Sequence, residues 1–155
     1  MQTRRDMLSR SAQVAAMLAA VGVLPGVAQA QAAGFNAAAF SAKTMADLMK
    51  ALGAAAPVES KDVTVTAPDI AENGAVVPVG AATALPGVKR LLMLVEKNPT
   101  MLTAMFDITE SVDANISTRV KMGQSSNVIA VAMMDDGRVL FAQKEVKVTL
   151  GGCGG

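Results

Sequence analysis

The sequence predicts a mainly β chain: an antiparallel, immunoglobulin-like β-sandwich with an N-terminal helix before it and a flexible C-terminal arm after it. Three observations predict this. Seven or eight short apolar or alternating stretches are separated by turn signals every 8–12 residues or so, the rhythm of a sandwich. One segment, Ala37 to Leu52, instead carries apolar residues at helical spacing. The last five residues, Gly151-Gly152-Cys153-Gly154-Gly155, hold four glycines around the only cysteine and offer no side chain that could pack in a core.

The helix is read from Phe40, Met45, Leu48, Met49 and Leu52, with Gly53 and Pro57 ending it. Asp62 to Ala67 alternates Val63 and Val65 with Thr64 and Thr66, a half-buried strand. Asn73-Gly74 is a turn. Ala75 to Gly80 is a short strand whose Pro78 predicts an edge position. Leu91 to Val95 is a continuous apolar run, closed by Lys97-Asn98-Pro99, and Leu102 to Thr109 is its hairpin partner. Asn115 to Met122 puts Ile116, Thr118, Val120 and Met122 on one face, with Ser117, Arg119 and Lys121 on the other. Val128 to Met134 is apolar on both faces and fits a central strand. Asp135-Asp136-Gly137 then turns the chain into Arg138 to Ala142. A last strand, Glu145 to Leu150, delivers the arm, and Cys153 lies up to about 10 Å beyond Leu150 when extended. The methionines, eleven in the full chain, read as gap-filling core residues.

The N-terminal segment has a different character. Arg4-Arg5 precedes an uncharged, alanine-rich stretch from Ser11 to Val23, then Pro25-Gly26 and Ala28-Gln29-Ala30. The apolar run is too short and weak for a membrane-spanning helix of about 20 residues. It reads as a twin-arginine export signal, cleaved after Ala30, on a protein bound for the periplasm with no stable membrane anchor. The expected organisation is residues 1–30 as signal, 31–60 as helical segment, 61–150 as β-sandwich and 151–155 as arm.

Loss of the signal takes away Arg4, Arg5, Arg10 and Asp6, leaving 11 basic against 12 acidic side chains and no basic excess for nucleic acid. The chain contains no His, Trp or Tyr. The common hydrolytic triads and histidine metal sites are therefore unavailable, as is a stacking platform for bases. Asp135-Asp136 reads as a solvated turn, not an acid–base pair. Neither a stand-alone enzyme nor a cofactor or metal site is expected. A single cysteine cannot form an internal disulfide, so in an oxidising compartment it stays free, pairs between chains, or carries a group.

The terminal pentapeptide behind Lys147-Val148-Thr149-Leu150, together with the paired-arginine start, resembles the SoxY family of periplasmic thiosulfate oxidation. The resemblance continues through Pro68-Asp69-Ile70-Ala71-Glu72-Asn73-Gly74, Val77-Pro78-Val79, Glu96-Lys97-Asn98-Pro99, Ser117-Thr118-Arg119-Val120 and Val128-Ile129-Ala130-Val131-Ala132. Its weakest stretch is Gly80 to Val88.

That resemblance implies a non-catalytic sulfur carrier. Cys153 would be the covalent attachment site, and Gly151, Gly152, Gly154 and Gly155 its tether. Thiosulfate would be coupled to the cysteine oxidatively by the haem enzyme SoxAX. SoxB would release sulfate, and SoxCD, where present, would oxidise the remaining sulfur. SoxZ would be the heterodimer partner. Two other readings stay open: an exported structural sandwich cross-linked through Cys153, and a carrier using a thiocarboxylate on Gly155. The second needs ATP, which an exported protein lacks.

Overall fold

The computed structural model describes residues 36–149; the paired arginines, Arg4 and Arg5, and the whole pentapeptide with Cys153 lie outside the described residues. The described chain forms two helices, α1 (Ala37–Ser41) and α2 (Met45–Leu52), and nine strands. The strands are β1 (Val58–Glu59), β2 (Val63–Thr66), β3 (Ile70–Ala71), β4 (Val77–Thr83), β5 (Val88–Val95), β6 (Leu102–Asp107), β7 (Asn115–Val120), β8 (Ser126–Met134) and β9 (Val139–Val148).

Two sheets face each other. The larger runs β1-β9-β8-β5-β6, with β3 also paired to β9, and the smaller runs β2-β4-β7. The space between them is filled by alternate residues of both: Leu91, Met93, Val95, Val128, Ala130 and Val146 from the larger sheet against Val63, Val77, Val79, Ala81 and Val120 from the smaller. Met122, just past β7, completes this layer. The mainly β sandwich is therefore as expected.

The opposite face of the larger sheet is not solvated. Leu92, Leu94, Ile129, Val131 and Val139 point the other way and pack under Ala39, Ala42, Leu48 and Met49 of the helical segment. Burial on both faces is why Leu91–Val95 and Val128–Met134 are apolar throughout instead of alternating. Each such side chain contributes roughly 1.5–3 kcal/mol through removal from water. Five methionines, Met49, Met93, Met101, Met122 and Met134, are buried in the two layers, which agrees with their reading as gap fillers.

Four local features differ from the sequence expectation, each for an identifiable reason. The helix is broken at Ala42–Thr44, because Thr44 is extended (φ −127°, ψ 156°) and its hydroxyl oxygen accepts from Asp47 N–H at 3.1 Å, starting a new helix. Gly53, at φ 63°, closes that helix in the left-handed conformation. Pro78 lies in the central strand of the smaller sheet, yet β2 pairs β4 only over Gly80 to Thr83, so the stretch holding Pro78 has β7 as its sole sheet neighbour. Arg138 to Ala142 and the described part of the last expected strand form one continuous strand, β9, paired with β8 from Val139 to Val146. Finally, the larger sheet is not purely antiparallel, since β1 and β3 both pair with β9 in parallel.

Among the described residues no helix is long and apolar enough to cross a membrane.

Candidate functional site: the root of the C-terminal arm

The attachment residue named by the sequence, Cys153, and its flanking glycines lie outside the described residues. What the structure places is the ground they spring from. β9 is the longest strand, ten residues, and it lies between β8 on one side and the short strands β1 and β3 on the other. Its last residues are tied from several directions. Lys147 N–H donates to Asp69 C=O at 3.0 Å and Thr149 N–H to Ala71 C=O at 3.1 Å, both through β3. From the other side Val148 N–H donates to Ser125 Oγ at 2.9 Å.

β8 stops pairing at the Ser126–Val146 position, so Ser125 continues the ladder with a side-chain oxygen where the neighbouring strand has ended. The Val148 amide would otherwise have no protein acceptor there. These bonds hold the backbone as far as Thr149. Cys153 is four residues further on, a reach of up to about 14 Å.

Beneath this root sits the turn at Asn73-Gly74. Asn73 Oδ1 accepts from Ala75 N–H at 2.9 Å, closing the turn, and Met122 N–H donates to Gly74 C=O at 2.7 Å. A β-carbon at Gly74 would lie 2.5 Å from Met122 O and 2.8 Å from Val148 Cγ1. The glycine is required by close packing, and it locks the β3–β4 connection to both the end of β7 and the end of β9. Sequence reasoning named Gly74 only as part of a turn. Ser125 carried no local signal, because its partner is 23 residues away.

The edge of β9 between β1 and β3 is bridged by a side chain. Lys144 Nζ donates to Ala67 C=O at 2.6 Å and pairs with Asp69 Oδ1 at 3.0 Å. Lys144 thus ties the β2–β3 segment onto β9 just before the root. At the other end of the strand, Asp136 behaves as a turn residue. It accepts from Arg138 N–H at 2.9 Å and from the Arg138 guanidinium at 2.6 Å. These bonds, the backbone one first, hold its carboxyl below the ordinary value of 3.8.

Among the described residues no group of three or more His, Cys, Asp or Glu side chains could hold a metal ion. The root is a strand end clamped on both edges as far as Thr149, directly before residues 150–155.

Comparison with known proteins identifies the family. The family model described as "Sulfur oxidation protein SoxY" matches residues 48–153. The solved sulfur carrier protein SoxY from Chlorobium limicola f thiosulfatophilum is 33% identical, covering 66% of this chain and 93% of that one, with a TM-score of 0.60. A superoxide reductase (neelaredoxin) variant from Ignicoccus hospitalis covers 56% of this chain and 79% of its own at 14% identity, with a TM-score of 0.51, a likeness of fold alone. No curated protein matches. With the family match running from within α2 to Cys153, the chain belongs to the SoxY family of sulfur oxidation proteins.

Proposed function

We propose that this chain carries thiosulfate-derived sulfur covalently on Cys153 and presents it to partner enzymes on the 151–155 segment. The observation that carries the reading is the combination of a strand end clamped at Thr149 with a family match that extends to residue 153. On this reading the clamp fixes the end of β9, and residues 150–155 act as the tether beyond it. Tethering holds an otherwise diffusible intermediate at high effective concentration near its enzymes. Four glycines around the thiol keep the arm thin enough for a narrow active-site channel.

The chemistry divides between carrier and enzymes. Cys153 thiolate and thiosulfate join through a new S–S bond as two electrons leave to the haem enzyme SoxAX. Water then attacks the terminal sulfonate sulfur in SoxB, releasing sulfate and leaving a persulfide on Cys153. Where SoxCD is present it oxidises that sulfur further. The chain has no histidine to activate its own thiol, so activation falls to the partner's active site. SoxZ is the proposed heterodimer partner, and export through the Arg4-Arg5 signal to the periplasm, after which the leader of residues 1–30 is lost, places the carrier with its enzymes.

The test is Cys153→Ser in a reconstituted thiosulfate-oxidising system. Thiosulfate-dependent electron release should vanish while the thermal unfolding midpoint stays where it was. Continued oxidation would remove Cys153 from the mechanism and leave the cross-linked structural reading. Replacing Arg4 and Arg5 with Lys should stop periplasmic accumulation, and normal accumulation would rule out the twin-arginine route. Sedimentation with a co-encoded second sandwich tests the pairing; two species that do not combine would contradict it.

A further inference from the structure

Among the clefts on the described domain, three contain carboxylates and a fourth does not. The two at the end of the sandwich away from the arm root include Asp135, with Glu110 and Asp113 in one and Asp107 in the other. A third includes Asp62. The fourth, of about 440 Å³, lies between the β5–β6 turn and the end of β7. It is lined by Asn98, Thr100, Thr103, Arg119 and Lys121 among others, and no lining residue is acidic.

The two cations belong together. Arg119 and Lys121 are two apart, the first on β7 and the second directly after it, and both are exposed. Arg90, Arg138 and Lys144 are each paired with a carboxylate, but neither Arg119 nor Lys121 has such a partner among the described residues. The wall of the cleft is fixed: Asn98 Nδ2 donates to Lys121 C=O at 2.7 Å, and Asn98 Oδ1 accepts from Gly123 N–H at 3.4 Å.

The same short segment joins this cleft to the arm root. Lys121 C=O is held by Asn98, Met122 N–H by Gly74, and Ser125 Oγ by Val148. Four residue steps from Lys121 to Ser125 span at most about 14 Å, the same limit as the four steps from Thr149 to Cys153. An arm folded back along this segment therefore reaches the cleft.

We propose that the Arg119–Lys121 cleft receives the sulfonate end of the cargo on Cys153, parking the loaded arm on its own domain between enzyme visits. The inference rests on the carrier reading and deepens it. The occupant is the 150–155 segment once it carries a sulfur oxyanion: its length fits, and its negative cargo meets two unpaired cations in a cleft without a carboxylate. The unloaded thiol brings no sulfonate, so docking follows loading.

Tetrathionate supplies a chemical route to the loaded state. The Cys153 thiolate attacks a central sulfur, forming Cys–S–S–SO₃⁻ and releasing thiosulfate, with no other oxidant. Intact mass first establishes loading, and NMR then compares loaded and unloaded full-length mature protein. Loading should shift the amides of Thr100, Arg119 and Lys121, and these shifts should be lost in the Arg119→Gln/Lys121→Gln variant. Reduction of the adduct by a neutral phosphine should be about two- to five-fold slower in wild type than in that variant at low salt, the size expected of exposed charge pairs. A loaded protein with no shift at these amides overturns the parking site and leaves the carrier reading intact. Failure of Cys153 to load overturns both. Shifts produced by free thiosulfate on Cys153→Ser, with none from the loaded arm, would assign the cleft to the free anion and overturn the proposal.

Discussion

Val148 and Ser125 extend the β8–β9 ladder past its last backbone pair: the Val148 amide donates to Ser125 Oγ at 2.9 Å, one residue beyond the last paired position of β8. A side chain thus finishes a ladder that backbone pairing has abandoned. On the opposite edge, the Thr149 amide reaches Ala71 C=O at 3.1 Å. The backbone is thus held from both edges up to Thr149, the last described residue.

Gly74→Ala should loosen this root. The added methyl would meet Met122 O and Val148 Cγ1, neither of which can move without disturbing a strand end. Overpacking of this kind costs about 1–3 kcal/mol. Thermal unfolding should show the loss, and hydrogen exchange at Val148 and Thr149 should speed up more than exchange in the middle of β8. Unchanged exchange at both amides would mean that Gly74 does not support the root.

How much of this was legible follows from range. The apolar runs of β5 and β8 announce themselves because both faces of each strand are buried, between the helices and the smaller sheet. The helical stripe was visible, but its break was not: Thr44 and Asp47 are a capping pair inside an otherwise unbroken run of helix formers. β1 and β3 are two residues each and exist only because β9 pairs with them, so no local pattern marks Val58–Glu59 or Ile70–Ala71 as strands. β9 read as two pieces because the polar run Gln143-Lys144-Glu145 interrupts its apolar alternation. The expectation at Cys153 comes from the glycine-flanked pentapeptide and the family resemblance, and it falls outside the described residues. The clamp at the end of β9 had no local signal, since Ser125, Ala71 and Gly74 meet β9 only in three dimensions.

The β8–β9 turn should weaken in acid. A carboxyl whose pKa is lowered by folding adds stability that is present above its unfolded value, near 3.8, and is lost as pH falls through the lower folded value. Asp136 is such a group, held down by Arg138. NMR titration of the Asp136 carboxyl should give a midpoint below 3.8, and Arg138→Gln should move it upward. The substitution keeps the backbone N–H of residue 138, the larger cause, so the rise should be partial, and an unchanged midpoint would show that the guanidinium contributes nothing.

Substitution on the arm should separate reactivity from delivery. Gly152→Val or Gly154→Val keeps the thiol but thickens the tether and restricts its backbone. Both variants should react with a small alkylating reagent at the wild-type rate yet turn over at least about ten-fold more slowly with the partner enzymes, a barrier increase of about 1.4 kcal/mol. Wild-type turnover in both would contradict a thin arm entering a channel.

The most direct measurement is the intact mass of the mature protein, with peptide mapping, after incubation with thiosulfate, SoxAX and an electron acceptor. The account predicts a mass increase for one thiosulfate less the thiol proton, located on the peptide containing Cys153 and removed by reductant. SoxB should then shorten the adduct to a single added sulfur. An unmodified Cys153, or sulfur found on any other residue, would contradict the account.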